Sequence, residues 1–316
     1  MSIKVIFDLW DKFWFSEGSP LIVAVFRILY GLLLLAFIAL LTPDMFIWFG
    51  HYGLVSTQSV RDFNKDVLLN LLNICRDNDL FLVAFFTLFF MASVCLTIGY
   101  KTKLATVIVY LALTSLYHRN QLLFNSGDTY MRVCAFWLMF APTGKALSID
   151  HLLSKKDDST VYPAFTYKPV SLWTLRLLQL QLALVYCHTF FAKAPGSVWV
   201  DGTAVYYSSR IEDLTRISLP YVFEHLWTIY FLSYSTLVIE LALWTLIWFK
   251  EFRYIIIIIA IIFHLTIDLH MNIPLFEWMM IASYSLFVYE PDMRNILMAI
   301  TNRLPWLKSK VLSNQT

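Results

Sequence analysis

Eight apolar stretches, each near the length of a bilayer-crossing helix, divide this chain: about 20–42, 79–99, 103–118, 128–143, 172–193, 226–249, 254–271 and 274–289. A helix that crosses the hydrocarbon core needs about 20 apolar residues, with roughly 17–25 the usual range. The third, fourth and eighth stretches are the shortest. Ahead of them, Val5, Leu9 and Phe13 share one face at i, i+4 spacing, with Ile6, Trp10 and Trp14 beside it. That pattern predicts a helix lying in the membrane interface. Met293, Ile296, Leu297, Ile300 and Leu304 repeat it between Pro291 and Pro305, so 291–316 reads as a cytoplasmic interfacial tail. No segment is long enough for a soluble domain, no internal repeat is visible, and 1–316 reads as a single transmembrane domain. The predicted fold class is all-α: a polytopic integral membrane helical bundle of about eight transmembrane helices with an N-terminal interfacial amphipathic helix.

Composition agrees with the pattern. The 316 residues are 59% hydrophobic and 15% charged, where soluble domains run near 25% charged. The lipid bilayer is therefore the first partner. A net charge of +2 without a basic block gives no nucleic-acid signal. Cys75, Cys95, Cys134 and Cys187 have no metal-ligand spacing, so no metal and no disulfide framework is expected. Asp8, Asp11 and Lys12 interrupt the first apolar residues, and no signal-peptide cleavage site follows.

Basic residues orient the bundle, because cytoplasmic loops carry an excess of Lys and Arg. Lys101, Lys103, Lys145, Lys155, Lys156, Lys250, Arg253, Lys308 and Lys310 fall on the side of the N-terminus; Arg61, Lys65, Arg76, Arg210 and Arg216 are among the fewer on the other. Both termini are thus expected in the cytoplasm, with an even number of crossings, in a bacterial inner membrane. The loops near 43–78, 118–127, 194–225 and 270–274 then open outward. They carry His51, His118, Asn125, Asp128, Lys193, Asp201, His225, His270 and Asn272, so any reaction centre is expected on the outer face.

Lys193 closes the fifth apolar stretch, and Pro195 and Gly196 break the helix at once. Either its stem snorkels to bring the ammonium to the headgroups, or the lysine sits in a drier place and serves as a general base. Trp199 is either an interfacial anchor or one wall of a pocket for a ring-shaped ligand. Asp201 reads as an N-cap for the run from Val205. Asp128 reads the same way for the fourth stretch, or with Asn125 it steers the lysine or binds a ligand oxygen. His118 is either a solvated loop histidine or a ligand or base.

Ionisable groups inside spans are costly and are functional candidates by default. Arg27 lies close enough to the cytoplasmic end to snorkel, Arg132 lies one turn past Asp128 and can pair with it, and Glu240 is mid-span. Glu240 is expected to pair with Arg27 or Arg132, or to be protonated. His264 and Asp268 stand at i, i+4, as a proton relay or a satisfied pair requires, with His270 and Asn272 just beyond.

Read in order, Phe26-Arg27-Ile-Leu-Tyr30-Gly31, Trp48-Phe-Gly50-His-Tyr-Gly53, Asn125-Ser-Gly127-Asp128, Val185-Tyr186 through Lys193, Trp199 and Asp201-Gly202, and Met271-Asn272-Ile-Pro-Leu275-Phe276 resemble the horizontally transferred transmembrane domain family, over about 10–290. That family is related to the membrane domain of vitamin K-dependent gamma-glutamyl carboxylase. The resemblance implies that Lys193 matches a base that deprotonates a reduced naphthoquinone. Oxygen then adds, and the strong base so formed removes a proton from glutamate before carbon dioxide is fixed. With the residues weighed above, the catalytic candidates are Lys193, Asp128 and His118, and the cofactor-binding candidates are Asn125, Tyr130, Trp199, His270 and Asn272.

The sequence departs from the carboxylase at several points. Ala192 stands where the carboxylase has a second lysine, one extra residue separates Lys193 from Trp199, and Asp128-Thr129-Tyr130 replaces an Asn-His pair before a tyrosine. The chain also ends soon after the eighth stretch, without the large lumenal domain, which implies a partner subunit that holds a peptide or protein substrate, or a smaller substrate. Two other functions remain open: a non-catalytic accessory protein for maturing or exporting a partner, and a proton-coupled transporter using Glu240, His264 and Asp268. The lack of inverted repeats weighs against the transporter.

Overall fold

The computed structural model describes residues 3–55, 59–60, 69–74, 78–154 and 163–303. Cys75, Arg61, Lys65, Arg76, Lys155, Lys156, Leu304, Pro305, Lys308 and Lys310 lie outside the described residues. The main helices are α1 (Ile3–Phe15), α2 (Leu21–Leu41), α3 (Asp79–Ile98), α4 (Thr102–Arg119), α5 (Ser126–Phe140), α6 (Trp173–Lys193), α7 (Leu226–Thr245), α8 (Lys250–His270), α9 (Phe276–Tyr284) and α10 (Glu290–Arg303). Each of the eight predicted apolar stretches is helical. Five of these helices are long and apolar enough to cross a membrane: α2, α3, α6, α7 with its 3-10 extension to Trp248, and α8. The chain is a helical membrane protein. Its outward-facing apolar side chains, among them Val238, Ile255, Ile258 and Ile262, are exposed and match a lipid surface.

Two compact units divide the chain: Met1–Arg176 with Tyr289–Thr316, and Leu177–Val288. In the first, α2, α3, α4 and α5 pack in sequence order, and α10 lies against α2. Local chemistry sets their ends. The Asn78 side chain accepts from the backbone N–H groups of Leu80 and Phe81 at the start of α3, and Gly99 ends that helix in the left-handed region at φ 77°, where only glycine is unstrained. Asp150 caps α4, accepting from Lys101 N and Thr102 N at 2.8 and 2.9 Å. Lys103 Nζ donates to the carbonyls of Met139 and Ala141 at the end of α5, where cations are favoured. α1 leaves Val5, Leu9 and Trp10 exposed, as an interfacial helix would. It is held by Arg176, which donates to the Phe13 carbonyl and covers the Phe13 ring. A two-residue antiparallel pair, β1 (Glu17–Gly18) with β2 (Val170–Ser171), fixes the same end of the chain.

Arg27 does not snorkel. It is fully buried, and its guanidinium donates to the carbonyls of Thr143 at 2.6 Å and Leu147 at 2.5 Å, with those of Thr97 and Ala146 at 3.5 Å. The turn after α5 brings a cluster of carbonyl dipoles to the charge, which replaces the water it would otherwise seek. Arg132 does not pair with Asp128. It lies over the Tyr117 ring at 3.9 Å, a cation–π contact, while Asp128 is occupied at the helix start described below.

In the second unit, α7 packs against α8 and α8 against α9. α6 meets α7 through the Phe191 and Trp244 rings, 5.5 Å apart. The stretch after Thr215 is tied to the end of α8 by a bridge between Thr215 and Met271, with Asn272 N donating to the Leu214 carbonyl at 2.7 Å.

Candidate functional site

Lys193 is the last residue of α6, and the chain turns there, with Gly196 N donating to the Lys193 carbonyl at 2.9 Å. The short helix Ser197–Val200 follows and carries Trp199 back beneath the lysine, whose ammonium lies 5.2 Å from the indole centroid. Lys193 Nζ donates to Glu240 Oε1 on α7. The lysine side chain is 31% exposed and the glutamate 5%. Lys193 therefore neither snorkels alone nor sits dry and unpaired. It forms one half of an ion pair whose carboxylate is buried and whose ammonium is open on one side. Glu240 pairs with this lysine rather than with Arg27 or Arg132, both held by other groups.

Asp201–Gly202 closes the short helix. Asp201 is its C-cap rather than an N-cap, and Thr203 takes the N-cap position of the next helix, Ala204–Ser208. Gly202 has φ 72°, and a Cβ there would stand 2.7 Å from Tyr230 Cδ1 and 2.9 Å from Tyr234 Cε2. Tyr234 also donates to the Val200 carbonyl at 2.8 Å. The turn that carries Trp199 is thus seated against α7 by a glycine with no room to grow. Gly202→Ala is expected to cost at least about 1–2 kcal/mol from the left-handed backbone alone. A lower melting temperature in detergent would register it; an unchanged one would show that the turn is not fixed this way.

The same face of α6 carries a second polar cluster. Tyr186 lies seven residues before Lys193, and its hydroxyl meets His264 Nε2 on α8 at 2.7 Å and the Tyr284 hydroxyl on α9. His264 Nδ1 is paired with Glu277 Oε2. All four side chains are buried. Between the two clusters, the Thr189 hydroxyl donates to the Tyr186 carbonyl at 3.2 Å and stands beside the Glu240 carboxylate. The expected His264–Asp268 pair does not form: Asp268 accepts from Arg216 Nη1 at 3.2 Å. The i, i+4 spacing allowed that pair, but α9 offers His264 a buried carboxylate and the 209–217 segment offers Asp268 an arginine.

His270 and Asn272 belong to that outer segment. His270 is buried, with Nδ1 2.8 Å from the Ile217 carbonyl and its ring 4.4 Å from that of Phe223. Asn272 Oδ1 lies 3.5 Å from Arg216 Nη2. These contacts hold the loop to the end of α8, and neither residue is brought to Lys193.

The remaining candidates lie in the first unit. Asn125, not Asp128, is the N-cap of α5: its side chain accepts from Gly127 N and Asp128 N, while Asp128 accepts from Asn125 N at 2.8 Å. Together they form a capping box, whose N-cap sequence spacing alone placed three residues too late, at Asp128. Tyr130 is buried, with its hydroxyl beside the Cys134 thiol one turn on. His118 Nδ1 is 2.8 Å from the Leu69 carbonyl. Each of these four has a local structural partner. Cys95, Cys134 and Cys187 are free thiols.

Sequence reasoning missed Tyr186, Glu277 and Tyr284. A signal existed for two of them: Tyr186 is two helical turns from Lys193, and Glu277 is an ionisable group inside the eighth apolar stretch. Nothing in the sequence marks Tyr284 among the aromatic residues.

The sequence profile of a family described as the HTTM domain matches residues 15–292. No curated protein and no solved structure matches the chain.

Proposed function

Because the chain belongs to the HTTM domain family, which is related to the membrane domain of vitamin K-dependent carboxylase, we propose that it is a membrane enzyme that removes a proton from a reduced quinone of the vitamin K hydroquinone type, with oxygen as co-substrate. The observation that carries this reading is the Lys193–Glu240 pair set over Trp199.

The residues suit such a ligand. Trp199 presents a flat aromatic surface for a ring, as apolar pockets with a few convergent polar groups do. Lys193 is open on one side, and Glu240 is shielded. When bound, the quinol would supply an acidic hydroxyl and the reducing equivalents for oxygen. Lys193 Nζ would receive the hydroxyl proton as a neutral amine. The contact with Glu240 supports that role: moving one ammonium proton onto the carboxylate breaks an N–H bond, forms an O–H bond and restores the amine without releasing charge into the bilayer. Trp199 orients the ring, and the Gly202 turn fixes the indole.

The same reading takes eight crossings, both termini in the cytoplasm of a bacterial inner membrane, and a site facing outward. Gamma-carboxylation of a glutamate in a peptide or protein at that face is the proposed use of the strong base. The purified protein in vesicles, supplied with reduced naphthoquinone and oxygen, is expected to form quinone epoxide well above protein-free vesicles. Equal rates in the two would overturn the proposal.

A further inference from the structure

Arg119, the last residue of α4, is only 2% exposed, nearly as deep as Arg27 but less well served. Its Nη2 donates to the Val55 carbonyl at 3.0 Å, with the Phe49 carbonyl at 3.5 Å. Its Nη1 is buried without a hydrogen-bond partner, and among the described residues no carboxylate pairs with it. Arginine stays protonated in proteins, so a full positive charge lies here with one face unanswered. A buried donor left open in this way points to an ion or a water that fills the gap. The space for one exists. Arg119 lines a cavity of about 10 Å³ with His51, Asn78 and Asp79, closed by Phe49 and Leu72; that is room for one water-sized centre. Three parts of the first unit meet there: the stretch after the Met45–Phe49 helix, the start of α3 and the end of α4. Asn78 spends its Oδ1 on Leu80 N and Phe81 N, which leaves its amide N–H groups as further donors. The start of α3 adds the positive end of a helix dipole.

We propose that this cavity binds a small monovalent anion of the halide class, with Arg119 Nη1–H as the main donor and the Asn78 amide beside it. Charge favours the anion over water. A water would accept from Nη1–H yet leave the guanidinium without a counter-charge in a buried place, whereas a halide supplies both. Size favours a single atom, because the cavity does not admit a phosphate or a substituted carboxylate. Asp79 lines the same space, and its Oδ1 accepts from His51 N at 3.2 Å. It forms no ion pair with Arg119, so its negative charge opposes the anion and lowers the affinity of the site. A bound halide would join the three segments by a charge that none of them carries. The assignment is independent of the proton-abstraction reading: every residue named here belongs to the first unit, and Lys193 belongs to the second.

The test uses the full chain in lipid nanodiscs and sodium bromide as the probe, with sodium gluconate, whose anion is too large for the cavity, holding ionic strength constant. Bromide binding is read from the broadening of its NMR line, and thermal unfolding is followed on the same samples. A ligand that binds only the folded state raises the unfolding midpoint, so the native midpoint is expected to rise as bromide replaces gluconate. Arg119→Gln is expected to weaken bromide binding at least about tenfold, the scale of one hydrogen bond to a charged group. Asp79→Asn keeps an oxygen for His51 N and removes the opposing charge, so it is expected to tighten binding; it decides the matter if Arg119→Gln does not fold. No bromide effect on the native protein would mean that water alone fills the cavity, and would overturn the proposal. Native-like binding in Arg119→Gln, or unchanged or weaker binding in Asp79→Asn, would overturn it too.

Discussion

Lys193→Ala is expected to lower quinone-dependent epoxide formation by about 10²–10⁴-fold, the contribution typical of a positioned general base. The alanine variant also strands the buried Glu240 carboxylate, whose partner is the lysine ammonium, so lost activity alone would not separate chemistry from folding. Lys193→Arg separates them. Arginine keeps the cation and the contact with Glu240, but its guanidinium stays protonated and cannot act as a base. The arginine variant is therefore expected to match the native melting temperature within a few degrees and still lose turnover to the same degree as alanine. Native-like turnover with arginine would show that the lysine is a structural cation. Epoxide yield and thermal unfolding, measured on the same vesicle preparations, decide the matter.

Arg27→Met is expected to destabilise the first unit by about 2–5 kcal/mol. Methionine fills much of the volume but offers no donor, leaving the carbonyls of Thr143 and Leu147 without the charge that satisfies them; each buried polar group left unpaired costs about 1–3 kcal/mol. Arg27→Lys should recover only part, because a single ammonium cannot span carbonyls that the planar guanidinium reaches with separate nitrogens. The crowding at Gly99 adds to this: a Cβ there would press on Arg27 Nη1 at 2.6 Å. The guanidinium, the left-handed turn and the 143–147 carbonyls thus form one local assembly. Thermal unfolding in a fixed detergent checks the prediction, and a native-like melting curve for the methionine variant would count against it.

The helical membrane fold was legible because hydrophobic length is a one-dimensional property. α2, α3, α7 and α8 follow directly from apolar runs that few charges interrupt. The lysine was legible for the same reason, as a charge at the end of such a run with a proline two residues on. Partner choice was not. The sequence offered Glu240 Arg27 or Arg132 as a partner, and only the three-dimensional neighbours showed that carbonyl dipoles hold Arg27, an aromatic ring holds Arg132 and Lys193 takes the carboxylate. His264 illustrates the same limit. An acid at i+4 is a short-range signal that spacing can reveal, whereas Glu277 lies on another helix and comes near only when α8 and α9 pack. Capping shows a finer limit: Asn125 and Asp128 were both recognised, but which of them caps depends on backbone angles that the letters do not state.

The two buried carboxylates of the second unit also constrain how this chain can change over generations. Glu240 is paired with Lys193 and Glu277 with His264, and losing one member of a buried pair typically costs about 3–5 kcal/mol while replacing both together can be nearly neutral. Each pair therefore behaves as one inherited character. Among relatives, a neutral residue at the Glu240 position should travel with loss of the lysine, and a neutral residue at Glu277 with loss of the histidine, so that the four positions vary as two joint states.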